Sequence, residues 1–122
     1  MRKERRLTRA RDFAAVRNEG RAWSDRCLVV VVRPNDTDTC RVGFSVGKRL
    51  GNAVVRNRTK RRLREAVSLA PVKGGWDLVI IARQDARDAG FDRICGSVNN
   101  LFRRAGILAD VNGIPASFAR GV

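Results

Sequence analysis

The spacing of apolar residues divides the chain into three predicted helices and four predicted strands. Phe13 and Val16 recur at helical spacing and predict a first helix over residues 8–19. A second helix is predicted over 53–68 and a third over 89–105. The apolar side chains of the third helix follow one stripe: Phe91, Ile94, Cys95, Val98, Leu101, Phe102 and Ala105. This stripe predicts a helix that packs on the core.

The strands are predicted from β-branched runs and from alternation. Residues 27–32 form a continuous apolar run rich in valine, which is typical of a strand covered on both faces. Residues 41–47 alternate large apolar residues with glycine or polar ones, and Gly43 and Gly47 leave one face bare for a close neighbour. Two more strands are predicted at 21–25 and 76–82. The order α-β-β-β-α-β-α therefore predicts an α+β fold with helices on a mixed sheet.

Particular residues mark the helix ends and the limits of the domain. Asn52 and Asp88 are predicted to cap the second and third helices, because their side chains can accept a hydrogen bond from the first helical turn. Gly106 is the predicted C-terminal stop of the third helix. One domain is therefore predicted over residues 1–106, followed by a poorly ordered tail over 107–122.

The charge of the chain indicates its class of partner. Lys and Arg total 26 against 12 Asp and Glu, the net charge is +14, and 22 of the 26 basic residues are Arg. A small domain tolerates this self-repulsion better when a polyanion neutralises it, and nucleic acid is the usual polyanion. Guanidinium groups also pair bidentately with phosphate. An anionic membrane surface is the alternative, and it requires a helix with a large exposed apolar face.

Several residue types that enzymes rely on are scarce. The chain has no His, which is the commonest general base and a common metal ligand, and it has only three Glu. Its three cysteines lack the spacing of a zinc or redox site and suit a reducing cytoplasm. No apolar run approaches the ~20 residues of a membrane span, so we expect a cytoplasmic protein. A protein-based hydrolase is disfavoured, and its alternative Mg²⁺ ligands are Asp85, Asp88 and Asp92.

The second predicted helix carries a dense positive surface. On a helical wheel of about 100° per residue, the side away from the core is basic and comprises Arg56, Arg58, Lys60, Arg61, Arg62 and Arg64. Like charges at i and i+4 cost roughly a few tenths of a kcal/mol per pair, so this pattern favours a phosphate-rich partner over a solvated face. Lys48 and Arg49 precede the helix and add a second phosphate-binding element. Asn57 can hydrogen-bond a base edge, a 2′-hydroxyl or a metal-bound water, or it can fix a neighbouring Arg.

The block from Arg41 to Glu65 closely resembles the signature of the bacterial ribonuclease P protein subunit. It reads RVGFSVGKRLGNAVVRNRTKRRLRE, and its centre, Arg56-Asn57-Arg58, is similar to the Arg-Asn-Arg motif of that family. Flanking segments around Asp12 and Phe13, at 77–83 and at 101–106 extend the resemblance, in order, over most of the chain.

The resemblance implies both a fold and a reaction. The implied fold is a two-layer α/β sandwich with a left-handed crossover around the basic helix, which departs from the usual right-handed rule. The implied reaction is removal of the 5′ leader from precursor tRNA by Mg²⁺-dependent phosphodiester hydrolysis. Because that family's catalytic centre belongs to the RNA subunit, the resemblance implies no catalytic residue and no confident Mg²⁺ ligand in this chain. The implied partners are the catalytic RNA and the leader, with no membrane and no further protein required.

The resemblance also assigns two groups of binding residues. The catalytic RNA would be contacted by Lys48, Arg49, Asn52, Arg56, Asn57, Arg58, Lys60, Arg61, Arg62 and Arg64. The leader would lie between the first helix and the sheet, in a cleft lined by Phe13, Arg17, Val29, Val31 and Ser45. Phe13 can stack on a base or serve as a plain core residue. Many family members carry a second aromatic residue at the place of Arg17, where a guanidinium can pair with phosphate or stack instead.

Three other functions stay open at this point. A ribosomal or other structural RNA-binding protein would share the charge and the type of fold but would not recognise the leader. A protein-only nuclease would use the three aspartates around Mg²⁺. DNA binding by helix insertion would require a helix-turn-helix or dimer signal, which the chain lacks.

Overall fold

The structure, a computed structural model, describes residues 6–109. The elements in chain order are α1 (Ala10–Glu19), β1 (Arg21–Ser24), β2 (Leu28–Pro34), β3 (Arg41–Ser45), α2 (Ala53–Leu69), β4 (Trp76–Ala82) and α3 (Phe91–Ala105). Short 3₁₀ turns follow β3 and β4, at Lys48–Leu50 and Gln84–Ala86. The predicted order α-β-β-β-α-β-α is confirmed, and β4 has the predicted bounds.

The four strands form one mixed sheet in the order β1-β2-β4-β3. β2 pairs antiparallel with both β1 and β4, whereas β3 pairs parallel with β4. The chain reaches β4 from its parallel neighbour β3 through α2, so α2 is the crossover helix. Because β3 and β4 run in the same direction, the two 3₁₀ turns leave the sheet at the same end.

Both faces of the central strands are covered. Val30 and Ile80 lie in the core that α2 and α3 cover. The neighbouring residues Val31 and Val79 point to the opposite face, where they pack with Val16 of α1. This arrangement accounts for the continuous valine run of β2, because a strand buried on both faces has no solvent side that requires polar residues.

The helix ends match the predictions only in part. Asn52 caps α2, since its Oδ1 accepts a hydrogen bond from the Val55 amide at 3.0 Å. Gly106 ends α3 in the left-handed conformation with φ of 76°. The predicted cap at Asp88 is wrong: α3 begins after Gly90, and the exposed Asp88 carboxylate lies 3.9 Å from Arg87 instead. Ala89 is buried in the turn that precedes α3, and the helix begins two residues later, at Phe91.

The first helix also begins later than predicted, because the preceding segment pairs with the sheet. Arg6 forms an isolated parallel bridge with Val42, and the Leu7 amide donates a hydrogen bond to the Val42 carbonyl at 3.0 Å. Leu7 is buried with Val16 beneath α1. Residues 6–7 are therefore extended along the outer edge of β3, and the helix begins at Ala10.

The core continues beyond the predicted end of the domain. Ile107 and Leu108 are buried, although both fall in the segment predicted to be a tail. The Ile107 amide donates to the Phe102 carbonyl at 3.1 Å, and Leu108 bridges to Val72. The rest of the predicted tail, from residue 110 to residue 122, lies outside the described residues.

One buried carboxylate joins β4 to β3 and to the connection between β2 and β3. Asp77 is 2 % exposed and accepts two hydrogen bonds from the Arg41 guanidinium, at 2.8 and 2.7 Å. It also accepts a hydrogen bond from the Asn35 amide at 2.9 Å. These interactions with Asp77 raise the pKa of Arg41. Since Arg41 and Asp77 are paired across the parallel strands, the ion pair stabilises the register of β3 on β4.

Replacing Asp77 should destabilise the fold far more than removing a surface ion pair. Asp77→Ala leaves a partly buried guanidinium without its carboxylate and leaves the Asn35 amide with only the Thr39 carbonyl as acceptor, which should cost about 2–3 kcal/mol in the free energy of unfolding. Glu19→Ala removes the exposed pair with Arg33 and should cost less than about 1 kcal/mol. Urea denaturation measures both values, and equal losses would contradict the importance assigned to Asp77.

Candidate nucleic-acid interface

α2 buries one stripe of side chains and carries six basic residues outside that stripe. Thr59, Leu63, Ala66 and Val67 are buried, whereas Val55 is half-buried. The Thr59 hydroxyl donates to the Val55 carbonyl at 2.9 Å, so its polar atom is satisfied inside the helix. The basic face of α2 comprises Arg56, Arg58, Lys60, Arg61, Arg62 and Arg64, all exposed or half-buried.

The basic face of α2 has no acidic partner among residues 6–109. The ion pairs in this part of the chain are Arg33–Glu19, Arg41–Asp77, Arg87–Asp88 and Arg93–Asp85. The Nε atoms of Arg56, Arg58 and Arg64 are shielded from solvent without a hydrogen-bond partner in the described chain. Because these Nε donors have no acceptor in the described chain, a change of side-chain rotamer can turn them toward an incoming anion for charge-assisted hydrogen bonds.

Two predicted RNA-binding residues have structural contacts as well. The Arg62 guanidinium donates to the Ala89 carbonyl at 3.2 Å, which ties α2 to the turn before α3. The side-chain oxygen Oδ1 of Asn52 accepts the capping hydrogen bond from Val55. Its side-chain nitrogen Nδ2 is therefore the group available to bind RNA. Asn57, by contrast, is exposed between Arg56 and Arg58 on the outer side of the helix.

A crevice opens where the parallel strands β3 and β4 end. Its volume is about 490 Å³, and it is lined by Ser45, Gly47, Lys48, Arg49, Leu50, Ile81, Ala82, Arg83 and Gln84. Lys48 and Arg49 are exposed here, in the 3₁₀ turn that precedes α2. This end of a parallel pair is a common place for ligands in α/β sheets. The crevice therefore extends the positive surface from α2 to the end of the sheet.

The predicted leader-binding residues lie on the α1 face of the sheet, but Val31 is 6 % exposed and packs with Val16 beneath α1, so it supports the cleft from below. The α1 cleft comprises Phe13, Arg17, Val29, Val31 and Ser45. Val29 pairs with Ile81, and Ile81 pairs with Ser45, so these three residues form one row across three strands. Val31, Val79 and Gly43 form the next row by the same pairing. Phe13 and Arg17 of α1 lie one helical turn apart, with Phe13 half-buried and Arg17 exposed.

Phe13 lies directly on the bare backbone of β3. A Cβ atom placed at Gly43 would overlap the Cζ and Cε atoms of the Phe13 ring. The prediction of a close neighbour is therefore confirmed for Gly43, where the neighbour is Phe13, and is wrong for Gly47, where a Cβ atom would meet nothing within 4 Å. Phe13 is only half-buried, so part of the residue stays exposed while its ring packs on the sheet.

Arg83 also belongs to this surface, although the sequence pattern did not indicate it. Arg83 follows β4 and lines the crevice beside Lys48 and Arg49. Its guanidinium donates to the Asp25 carbonyl at 2.8 Å, which orients it from the β1–β2 turn. Its place at the end of β4 was visible in the sequence, but the parallel pairing of β3 and β4 was not.

The three aspartates proposed as alternative Mg²⁺ ligands do not form a metal site. Within residues 6–109, no group of three or more His, Cys, Asp or Glu is arranged to hold a metal ion. Asp85 instead accepts a hydrogen bond from Arg93 at 3.4 Å, and Asp88 and Asp92 are exposed. The protein-only nuclease alternative is therefore left without its proposed site.

Two further features bear on the alternative functions. Burial raises the pKa of the Cys27 and Cys95 thiols, so neither is an activated nucleophile. None of the described helices has the length and apolar character needed to cross a membrane.

Comparison with known proteins gives consistent matches. The family model for Ribonuclease P matches residues 1–106. The ribonuclease P protein component of Symbiobacterium thermophilum is 47 % identical over 111 residues, which cover 88 % of this chain and 96 % of that protein. The solved RNase P protein of Staphylococcus aureus superposes with a TM-score of 0.78 at 33 % identity, over 86 % of this chain and 98 % of that one. The RNase P protein from Thermotoga maritima gives a TM-score of 0.75 at 30 % identity, over 81 % and 96 %.

The contact between Phe13 and Gly43 predicts a large difference between two glycines of one segment. Gly43→Ala should displace the ring and lower the free energy of unfolding by about 1–3 kcal/mol, because the added methyl group overpacks the site. Gly47→Ala is the matched control, since a Cβ there has no neighbour within 4 Å and its φ of −72° suits alanine. Chemical denaturation compares the two, and a Gly43→Ala protein as stable as the control would refute the contact.

Proposed function

Since the chain belongs to the ribonuclease P protein family, we propose that it binds the catalytic RNA through α2 and the 5′ leader of precursor tRNA through the α1 cleft. It is the protein component of the ribonucleoprotein endonuclease that matures the 5′ end of tRNA, and the ribonuclease P RNA is its partner. The single observation that carries the proposed binding mode is the basic face of α2, which lacks acidic partners within the described chain.

The proposal assigns the hydrolytic step and its Mg²⁺ to the RNA subunit. The described side chains do not fit a protein-held metal, because their carboxylates and thiols do not converge on one point. The protein then contributes binding energy and positioning. Holding the leader against the complex lowers the entropic cost of bringing the scissile bond to the catalytic centre.

The basic face supports RNA binding through counterion release. Each arginine or lysine that neutralises a phosphate releases condensed cations, and the affinity falls as salt rises. The stripe of Thr59, Leu63 and Ala66 anchors the helix, so these charges are presented on a rigid element. Lys48 and Arg49 continue the same surface toward the crevice at the ends of β3 and β4.

The α1 cleft suits a single strand. Val29 and Ile81 are half-buried and give the sheet a partly exposed apolar surface on which an unstacked base can rest. Phe13 offers a ring for stacking, an interaction worth ~1–3 kcal/mol per base. Arg17, exposed one turn further along α1, is placed to contact a phosphate of the same strand.

A processing assay tests the proposed function directly. Purified protein is mixed with a bacterial ribonuclease P RNA and a precursor tRNA at low Mg²⁺. We expect cleavage at the mature 5′ end that neither component gives alone under these conditions. Cleavage by the protein alone would mean a protein nuclease, and tight RNA binding without stimulation would leave only a structural RNA-binding role.

Single charge removals on α2 should change the salt dependence of RNA binding. Arg58→Ala and Arg61→Ala should each weaken binding to the catalytic RNA and reduce the slope of log affinity against log salt by roughly one unit. Arg33→Ala, on β2, removes the same charge away from α2 and should leave the slope unchanged. Filter binding over a salt series measures all three. Unchanged slopes in both α2 variants would remove the basic face from the interface.

Removing the ring of Phe13 should weaken binding of precursor tRNA but not of mature tRNA. Phe13→Leu keeps an apolar side chain over Gly43 and loses the stacking, so the holoenzyme should bind the precursor ~5- to 150-fold more weakly. The measurement is the Kd of the holoenzyme for tRNA with and without its leader. An equal loss for both substrates would show that Phe13 acts on the fold rather than on the leader.

A further inference from the structure

A small pocket lies between the basic face of α2 and the α1 cleft. This junction pocket has a volume of about 150 Å³ and is lined by Arg6, Leu7, Thr8, Phe13, Val42, Gly43, Phe44, Lys60 and Arg64. Its walls therefore come from residues 6–8, from α1, from β3 and from α2. Phe13 belongs both to this pocket and to the α1 cleft, and Lys60 and Arg64 belong to the basic face.

Arg6 is held at the mouth of the junction pocket by the sheet. The adjacent Leu7 is 4 % exposed, and its amide donates to the Val42 carbonyl at 3.0 Å. The bridge between Arg6 and Val42 continues this pairing along the edge of β3. The backbone of Arg6 is thereby fixed beside α2, although its side chain is exposed.

The charged residues that line the junction pocket are all basic. Arg6, Lys60 and Arg64 line it, and none of its lining residues in the described chain is acidic. The Nε atom of Arg64 is shielded from solvent and has no hydrogen-bond partner within residues 6–109. Lys60 and Arg64 are also like charges at i and i+4, which repel each other unless an anion lies between them.

We propose that the junction pocket binds one phosphate group of an RNA backbone, with Arg6 completing a three-cation site beside Lys60 and Arg64. The inference rests on the proposed function and adds a subsite and a residue to it. The pocket is smaller than the ~300–1,000 Å³ of a typical small-molecule site, which suits a compact anion better than a whole nucleotide. The Thr8 hydroxyl on the same wall provides a further hydrogen-bond donor.

The position of the pocket leaves two sources for this phosphate. A nucleotide of the leader next to a base stacked on Phe13 would reach it from the α1 cleft. A strand of the catalytic RNA bound along α2 would reach it from Lys60 and Arg64. Both sources present the same phosphodiester chemistry, and separate binding measurements with the two RNAs distinguish them.

The test replaces Arg6, which the sequence analysis assigned to neither surface. Arg6→Gln removes the charge, and Arg6→Lys keeps it without the guanidinium fork. Arg21→Gln is the matched control, because Arg21 lies on β1, at the opposite edge of the sheet, and stacks on Trp23 with its guanidinium carbon 5.4 Å from the ring centroid. Salt-dependent affinity is measured for the catalytic RNA with the protein, and for precursor and mature tRNA with the holoenzyme.

We expect Arg6→Gln to reduce the salt slope by roughly one unit with one of these RNAs, whereas Arg6→Lys and Arg21→Gln keep the slope of the unaltered protein. A change with the catalytic RNA assigns the phosphate to that RNA, and a change confined to precursor tRNA assigns it to the leader. If the unaltered protein binds both RNAs and Arg6→Gln does so with the same slopes, the junction pocket is not a phosphate site. Failure of the unaltered protein to bind either RNA would instead overturn the proposed function.

Discussion

The positive surface of the protein depends on the burial of a narrow stripe of α2 against the core. Leu63 and Val67 are buried, and fully burying a side chain of this kind contributes about 1.5–3 kcal/mol. The like-charge pairs on the other side of the helix cost only roughly a few tenths of a kcal/mol each. Burial therefore outweighs repulsion, and the helix can carry six basic residues on its outer arc without losing its place on the sheet.

Hydrophobic patterns predicted the helices and strands well because the burial of each face is recorded directly in the spacing of apolar residues. The valine run of β2 and the apolar stripe of α3 directly reflect which faces are covered. The cap at Asp88 failed because the burial of Ala89, a tertiary effect, fixes the turn before α3. The sheet order could not be read from local patterns, since the insertion of β4 between β2 and β3 depends on contacts such as the one between Asp77 and Arg41, 36 residues apart.

The candidate site was predictable to a similar extent. The helical wheel identified the basic face of α2, and the bare backbone of β3 indicated a close neighbour, which Gly43 has and Gly47 lacks. That the neighbour is Phe13 follows only from the way α1 packs over β3 and β4, and the grouping of the α1 cleft came from the family resemblance. Arg6 and Arg83 escaped prediction because strand pairing, rather than sequence spacing, brings them to the positive surface.

The pairing of residues 6–7 with β3 also affects how the protein behaves before it meets RNA. An open strand edge is a template for pairing with another chain, and folded proteins usually cover or shorten such edges. Here the bridge at Arg6 covers part of one edge of the sheet, and β1, at the other edge, is only four residues long. The strong net positive charge adds repulsion between copies of the free protein. Covered or short edges and like charge therefore both disfavour edge-to-edge aggregation in the absence of RNA.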